Sequence, residues 1–180
     1  MTETWRLFAG IFGVLIIATV IAQTLRWRVA KWQPHSVIDN LTARINAWWA
    51  MVLLIALAFF FGKGGVIVLF ALLSFLALRE FVTLSYTRRS DHLALAMCFY
   101  VALPVQYAFV WIEWYGMYSI FIPVYGFLFL PIIAALRSDT THFLVRIAEV
   151  QWALMLSVFC LSHVPALVTL NIPGFEGRHL

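Results

Sequence analysis

Two adjacent charged residues, Arg79 and Glu80, lie within the apolar run from Phe70 to Tyr86. A charge in the hydrocarbon of a bilayer costs between ~2.5 and ~17 kcal/mol, so it persists there only when it is paired, reaches the interface or lines a wet cavity. Thr83 and Tyr86 follow Arg79 at helical intervals, which places polar groups on one helical surface. Either Arg79 marks where a helix leaves the bilayer, or this polar stripe faces a substrate pocket. We favour the pocket, with Arg79 and Glu80 facing the interior of a helix bundle near the cytoplasmic surface.

A second polar pair, Ser162 and His163, interrupts another apolar run. Pro165 follows them and cannot donate a backbone hydrogen bond to Leu161, so the helix is expected to loosen there. A histidine at membrane depth is either a hydrogen-bond partner for a neighbouring helix or part of a pocket lining. Both interpretations stay open at the level of the sequence.

The elements that must position these residues are membrane helices. The chain has 180 residues, is 64% hydrophobic and 11% charged, and has a mean hydropathy of +0.94. A soluble domain is nearer half apolar and a quarter charged, so this composition indicates a polytopic membrane protein. The net charge is +4, and the basic residues lie mainly in short loops between apolar runs. Basic residues in such loops set the orientation of a membrane protein, so the charge does not indicate nucleic-acid binding. Cys98 and Cys160 lie in apolar runs without metal-ligand spacing, and we expect both to be buried small apolar residues.

The hydropathy pattern predicts an all-α, polytopic integral membrane helix bundle within a single membrane domain, residues 1–180. A segment starting at Ser36 is amphipathic, which predicts a short interfacial helix that runs directly into the second span. The glycine-rich stretch at 62–65 predicts a tight turn between the second and third spans. About six transmembrane helices are expected, at Leu7–Ala22, Ala47–Phe61, Val66–Leu84, Leu93–Ile112, Met117–Leu136 and Trp152–Leu170.

Prolines within the later spans predict local disruption of the helices. Pro104, Pro123 and Pro131 each free a backbone carbonyl four residues earlier, and kinks are expected there. The polar Gln106 is expected to face another helix rather than lipid. Residues 137–151 are mixed and mildly amphipathic, and are expected to precede the sixth span.

The distribution of basic residues predicts the orientation of the chain. Six spans with an outside N-terminus place nine Lys and Arg residues on the inner side and leave three, Arg6, Lys63 and Arg178, outside. The inner loops of membrane proteins carry the excess of basic residues. Both termini are therefore predicted to lie outside.

Three motifs in order resemble the N-terminal half of bacterial phosphatidate cytidylyltransferases, the CDP-diacylglycerol synthases. They are Asn40-Leu41-x-x-Arg44-x-x-x-Trp48-Trp49, Leu78-Arg79-Glu80-Phe81, and Gln151-Trp152 leading into Cys160-Leu161-Ser162-His163-Val164-Pro165. The resemblance covers about residues 36–177. It implies a multi-pass protein of the bacterial inner membrane that makes CDP-diacylglycerol and pyrophosphate from phosphatidate and CTP with Mg²⁺. The candidate substrate-binding residues it implies are Asn40, Arg44, Arg79, Glu80, Ser162 and His163.

The family's catalytic signature, a basic loop followed by paired aspartates near an arginine, has no counterpart in these 180 residues. No catalytic residue and no Mg²⁺ ligand is therefore assigned, and we expect a truncated or frameshifted product, or a catalytic half on a separate polypeptide. The chain alone is expected to make no CDP-diacylglycerol. Expected partners are membrane lipids, phosphatidate, CTP, a second copy of the chain or the C-terminal half of the enzyme. The alternative functions are a small membrane lipid-binding or transport protein and a structural partner without its own ligand.

Overall fold

The computed structural model describes residues 2–28, 36–85, 91–136 and 141–168. All the regular elements in these ranges are helical, and six helical segments are long and apolar enough to cross a bilayer. In hydrocarbon, backbone N–H and C=O groups must be satisfied internally, which a continuous helix achieves. The predicted all-α bundle with six spans is confirmed. The spans are Phe8–Arg28, Ser36–Phe60, Gly62–Leu84, His92–Ile112, Tyr115–Ala135 and Phe143–Val168.

The last three spans are composite helices in which α-helical and π-helical segments alternate. The first three helices are α1 (Thr2–Arg28), α2 (Ser36–Phe60) and α3 (Gly62–Leu84). The fourth span contains α4 (His92–Met97), π1 (Cys98–Ala102) and α5 (Leu103–Ile112). The fifth contains α6 (Tyr115–Ile120), π2 (Phe121–Gly126) and α7 (Phe127–Ala135), and the sixth contains α8 (Phe143–Leu154), π3 (Met155–Cys160) and α9 (Leu161–Val168).

The first of two compact units contains α1 and α2, which pack as an antiparallel pair. The ring of Phe8 lies 5.8 Å from that of Phe59, and the ring of Phe12 lies 5.7 Å from that of Trp49. The Trp49 indole also donates a hydrogen bond of 3.0 Å to the Thr19 hydroxyl. A polar contact of this kind holds two apolar helices in register, because lipid offers neither group a partner.

The amphipathic segment and the second span form one continuous helix, α2, as the sequence predicts. Ile38 and Ile45 are buried, while Asn40 and Arg44 are exposed on the same helical turns. Its predicted location at the membrane surface is not tested by these contacts and stays a prediction.

The second unit contains the remaining four spans around a shared core. Leu78, Cys98, Ile122 and Leu154 come from four different spans, and each is at most 1% exposed. Cys98 is thus a buried small apolar residue, as predicted. The same prediction is wrong for Cys160, which is exposed because it lies two residues past the buried Val158, on the opposite side of the helix.

The turn between α2 and α3 is shorter than the predicted glycine-rich turn. Only Phe61 separates the two helices, and Gly62, the first residue of α3, has a φ of 68°. A positive φ of this size favours glycine. Gly64 is already helical, and its missing side chain permits the close approach of Trp111, whose ring would lie 3.2 Å from an added Cβ.

The sixth span begins at Phe143, nine residues before its predicted start. The second part of the mixed segment 137–151 therefore forms the first turns of α8, whereas residues 137–140 lie outside the described ranges. The error arose because Arg146 interrupts the apolar pattern. In the structure Arg146 is buried beside Asp91, so its charge does not end the helix.

The predicted disruption at prolines takes the form of π-helical turns. Pro104 lies two residues past π1 and Pro123 lies inside π2, whereas Pro165 lies inside α9, five residues past π3. A proline removes one backbone donor and its ring crowds the carbonyl four residues earlier, which a wider turn relieves.

Pro131 lies inside α7 without a π-helical turn. The carbonyl that it frees, that of Phe127, accepts a hydrogen bond of 2.9 Å from the Gln151 side chain. A neighbouring span thus replaces the donor that the proline removed.

Candidate functional site

Arg79 and Glu80 are exposed near the end of α3, which finishes at Leu84. The prediction that both face the bundle interior is wrong. The inward face of α3 carries Ser74 and Leu78, which are 0% and 1% exposed. Arg79 and Glu80 come directly after Leu78, so the helical turn places them on other faces of α3. The exposure of Arg79 agrees with the alternative, in which it marks the end of a membrane helix.

The proposed polar stripe next to Arg79 is only partly described. Thr83 is exposed, and its hydroxyl donates a hydrogen bond of 2.7 Å to the Glu80 carbonyl of the preceding turn. Tyr86 lies outside the described residues. The described part of the stripe is thus an outward-facing surface at the end of α3, available to a polar ligand such as a lipid headgroup.

A buried ion pair joins the start of the fourth span to the first turn of the sixth. The Arg146 Nε atom lies 3.3 Å from Asp91 Oδ1, and the two side chains are 5% and 3% exposed. Sequence reasoning missed this pair. The available signal was that Asp91 and Arg146 have opposite charges and lie at the starts of the fourth and sixth spans, which enter the bundle from the same side because one span separates them.

A small cavity adjoins this ion pair and reaches the end of α3. It is lined by Phe81 and Ser85 of the α3 end together with Asp91, Arg146 and Glu149. Because Asp91 offsets the Arg146 charge, this cavity does not present an uncompensated cation to an anionic ligand. The pair therefore links the start of the fourth span to the first turn of the sixth.

Ser162 belongs to a buried hydrogen-bond network between the fourth, fifth and sixth spans. The Gln106 side-chain amide donates to the Ser162 hydroxyl at 3.0 Å and to the Tyr118 carbonyl at 2.8 Å. Ser162 in turn donates to the Phe159 carbonyl at 2.8 Å. Gln106 and Ser162 are both fully buried, which confirms that Gln106 faces other helices, and Ser162 has two protein partners.

His163 is half-buried and bonded within its own helix. Its Nδ1 atom lies 2.8 Å from the Phe159 carbonyl oxygen, and its ring packs 4.4 Å from the Phe159 ring and 5.5 Å from the Tyr118 ring. The hydrogen bond is intrahelical, so the contact with the neighbouring span is made by ring packing instead. Its role in substrate binding stays a prediction.

The structure does not bring Arg79 and Ser162 into one site within the second unit. Phe81, close to Arg79, lines the small cavity with Ala153 of the sixth span. Ser162 lies nine residues beyond Ala153, about 14 Å further along the helix at 1.5 Å per residue. Arg79 and Glu80 thus form one candidate surface at the end of α3. Ser162 and His163 lie further along the sixth span and do not belong to that surface.

Asn40 and Arg44 form a second exposed polar surface, on α2 in the first unit. They lie four residues apart, on one side of the helix, with Ile45 buried on the other. An arginine and an amide one turn apart can donate several hydrogen bonds to one anionic group.

The described residues do not fit a magnesium site. Among the described parts of the chain, no group of three or more His, Cys, Asp or Glu side chains is close enough to hold a metal ion. Asp91 is paired with Arg146, and Glu113 is paired with Lys63. Mg²⁺ needs carboxylate or other oxygen ligands in octahedral geometry, which these neutralised carboxylates do not supply.

The fold and these surfaces define a multi-pass helical membrane protein with basic groups at helix ends. The chain matches the cytidylyltransferase family over residues 42–178, and it belongs to this family, that of the phosphatidate cytidylyltransferases.

One curated relative is the uncharacterized protein YnbB of Escherichia coli (strain K12), with 31% identity over 172 residues. The match covers 96% of this chain and 54% of YnbB, so the chain spans about half the length of the curated relative it matches. No solved structure matches the chain significantly.

Proposed function

We propose that the chain takes part in CTP-dependent cytidylyl transfer to phosphatidate, and that its own contribution is to hold the lipid headgroup at the end of α3. The family match supports a CTP-utilising transferase. The observation that carries the lipid-binding role is the exposure of Arg79 at the end of a membrane-spanning helix. A guanidinium in that position meets a phosphate group bidentately, which a lysine does not.

In the proposed reaction, an oxygen of the phosphatidate phosphate attacks the α-phosphorus of CTP. The bond from that phosphorus to the bridging oxygen breaks, pyrophosphate leaves and CDP-diacylglycerol forms. Phosphoryl transfer depends mainly on positioning and on neutralising charge. Arg79 would orient the phosphatidate phosphate and lower its repulsion toward the nucleotide. The Mg²⁺ that the family implies finds no fitting ligand set among the described residues, so no step of this chain is assigned to it.

The orientation that supports this role places the Arg79 end of the third span at the cytoplasmic face of the bacterial inner membrane. Nine of the twelve basic residues then lie inside, and both termini lie outside. Impermeant cysteine labelling of Ser90 and Gly64, each changed to cysteine, tests this orientation. Labelling of position 90 from outside would contradict it.

Headgroup binding is tested with Arg79→Gln in nanodiscs that contain phosphatidate and phosphatidylglycerol. A basic residue near an anionic surface contributes about 1 kcal/mol, so phosphatidate retention should fall about fivefold. The matched control is Lys63→Gln, which removes one positive charge from the opposite end of α3. An equal loss in both variants, or an equal loss of phosphatidylglycerol, would contradict a headgroup site at Arg79.

The transfer reaction is tested by following radiolabelled CTP into lipid. We expect no incorporation above a no-protein control with the 180-residue chain alone, because its described residues offer no metal site. Adding the part of YnbB that the match does not cover should bring magnesium-dependent incorporation, which Arg79→Gln should lower. Turnover by the chain alone would show that this chain carries its own catalytic groups.

A further inference from the structure

An apolar groove runs lengthwise along the fifth span of the second unit. Met117, Phe121, Tyr125, Phe129 and Ile133 line it at four-residue intervals, which is one stripe of a helix surface. The stripe is about 24 Å long at 1.5 Å per residue, close to the ~30 Å thickness of a bilayer's hydrocarbon core. The groove is therefore elongated along the membrane normal rather than compact.

The groove has a buried floor and an exposed rim. Leu130 and Leu154 contribute the floor, at 4% and 0% exposure, while Val101 and Tyr125 on the rim are 41% and 38% exposed. It is thus open along one side to whatever surrounds the protein. No lining residue belongs to the first unit.

The π-helical turns contribute much of this groove. Five of its lining residues belong to π1 and π2, among them Ala102 and Gly126. These two residues and Leu154 lie close to the midpoints of their spans. At that depth the surrounding medium consists of acyl chains, because headgroups do not reach the middle of the bilayer.

The position of the groove indicates which molecule can fill it. The groove has a volume of about 330 Å³, and it is lined by aliphatic and aromatic side chains and one glycine. Because it opens sideways at mid-bilayer depth, the molecules that contact it are the acyl chains of the surrounding lipid.

We propose that this groove binds one acyl chain of a bilayer phospholipid along its length, independently of the headgroup. The surrounding lipid supplies the ligand, and the small residues Ala102 and Gly126 leave the space that the chain fills. The site rests on the membrane location of the second unit and not on the proposed transfer reaction. It would hold a structural lipid against the fourth, fifth and sixth spans.

The test uses the full chain reconstituted in phosphatidylcholine vesicles that contain phosphatidylcholine with a diazirine in the middle of one acyl chain. After illumination, labelled residues are mapped by peptide mass spectrometry. Phe129 and its neighbour Leu128 provide an internal comparison, because they are 53% and 58% exposed but only Phe129 lines the groove. We expect labelling of the groove stripe to exceed that of Leu128 and Ile132 about fivefold, since a held chain stays in contact longer.

Ala102→Phe should lower labelling of the stripe about fivefold, because the phenyl ring takes up the space of the chain. The matched control is Ala108→Phe, at an exposed position of the same span away from the groove, and it should leave labelling unchanged. Val101→Phe, at the exposed rim, serves as a second variant if Ala102→Phe does not fold, as judged by circular dichroism and gel filtration.

Three results would overturn the proposal. Even labelling of Phe129 and Leu128 would show that no chain is held, and equal losses with Ala102→Phe and Ala108→Phe would show that the groove is not the site. Labelling by a diazirine phosphatidate but not by the phosphatidylcholine would make the groove part of a headgroup-selective substrate site. None of these outcomes depends on CTP turnover, so they are separable from a failure of the proposed function.

Discussion

Two ion pairs join helix ends at different places in the second unit, and they differ in burial. Arg146 and Asp91 are 5% and 3% exposed, whereas Lys63 and Glu113 are 38% and 46% exposed. Water weakens the exposed pair and leaves it worth ~0–1 kcal/mol, while loss of one partner of a buried pair leaves an uncompensated charge that costs about 3–5 kcal/mol. The buried pair therefore stabilises the fold, whereas the exposed pair contributes little. In the sequence the two pairs look alike, because each consists of charged residues beside apolar runs.

The largest expected effect is that of Asp91→Asn, which leaves the Arg146 charge buried. We expect it to lower the free energy of unfolding by about 3–5 kcal/mol, measured by SDS titration in bicelles. The double variant Asp91→Leu with Arg146→Met should recover most of this loss, because no buried charge remains. A loss below about 1 kcal/mol for Asp91→Asn would mean that this pair is hydrated like the exposed one.

The next effect extends the comparison to a neutral buried contact. Gln151→Leu should cost about 1–3 kcal/mol, because the Phe127 carbonyl freed by Pro131 loses its donor. In a Pro131→Ala background the same change should cost much less, since the substituted residue would supply a backbone N–H to that carbonyl. Unfolding of the four variants gives the coupling free energy. An equal cost of Gln151→Leu in both backgrounds would refute the proline-compensation role.

Ser162→Ala should have a smaller effect, about 1 kcal/mol on the free energy of unfolding, because it removes the bond from Gln106 and an intrahelical bond to the Phe159 carbonyl, while Gln106 keeps its bond to the Tyr118 carbonyl. Phosphatidate retention in nanodiscs should not change, in contrast to Arg79→Gln. This pair of measurements separates a structural serine from a substrate-binding one. A selective loss of phosphatidate binding at normal stability would return Ser162 to the candidate site.

The smallest effect is expected for the exposed ion pair. Lys63→Gln should change the free energy of unfolding by less than about 1 kcal/mol. Raising the salt concentration should reduce even this difference, because exposed charges are screened. A cost comparable to that of Asp91→Asn would remove the contrast between the two pairs.

The sequence alone determined the six spans and the helical class. In hydrocarbon a backbone must satisfy its own hydrogen bonds, so the length of each apolar run is enough to predict a helix. The motifs were enough to identify the family, and the isolated glutamine in an apolar run predicted that Gln106 faces another helix. These features depend on local composition and order along the chain.

The tertiary structure alone decided which way each side chain faces and which distant groups meet. Arg79 was predicted to face inward, yet Leu78 occupies that face, because helix rotation is set by packing against neighbouring spans. The start of the sixth span was placed too late, because the approach of Asp91, which makes a buried Arg146 tolerable, is not visible in the sequence. Gln151 was recognised as part of a motif, but its partner, the carbonyl freed by Pro131, lies 24 residues away in sequence and is adjacent only in the folded bundle.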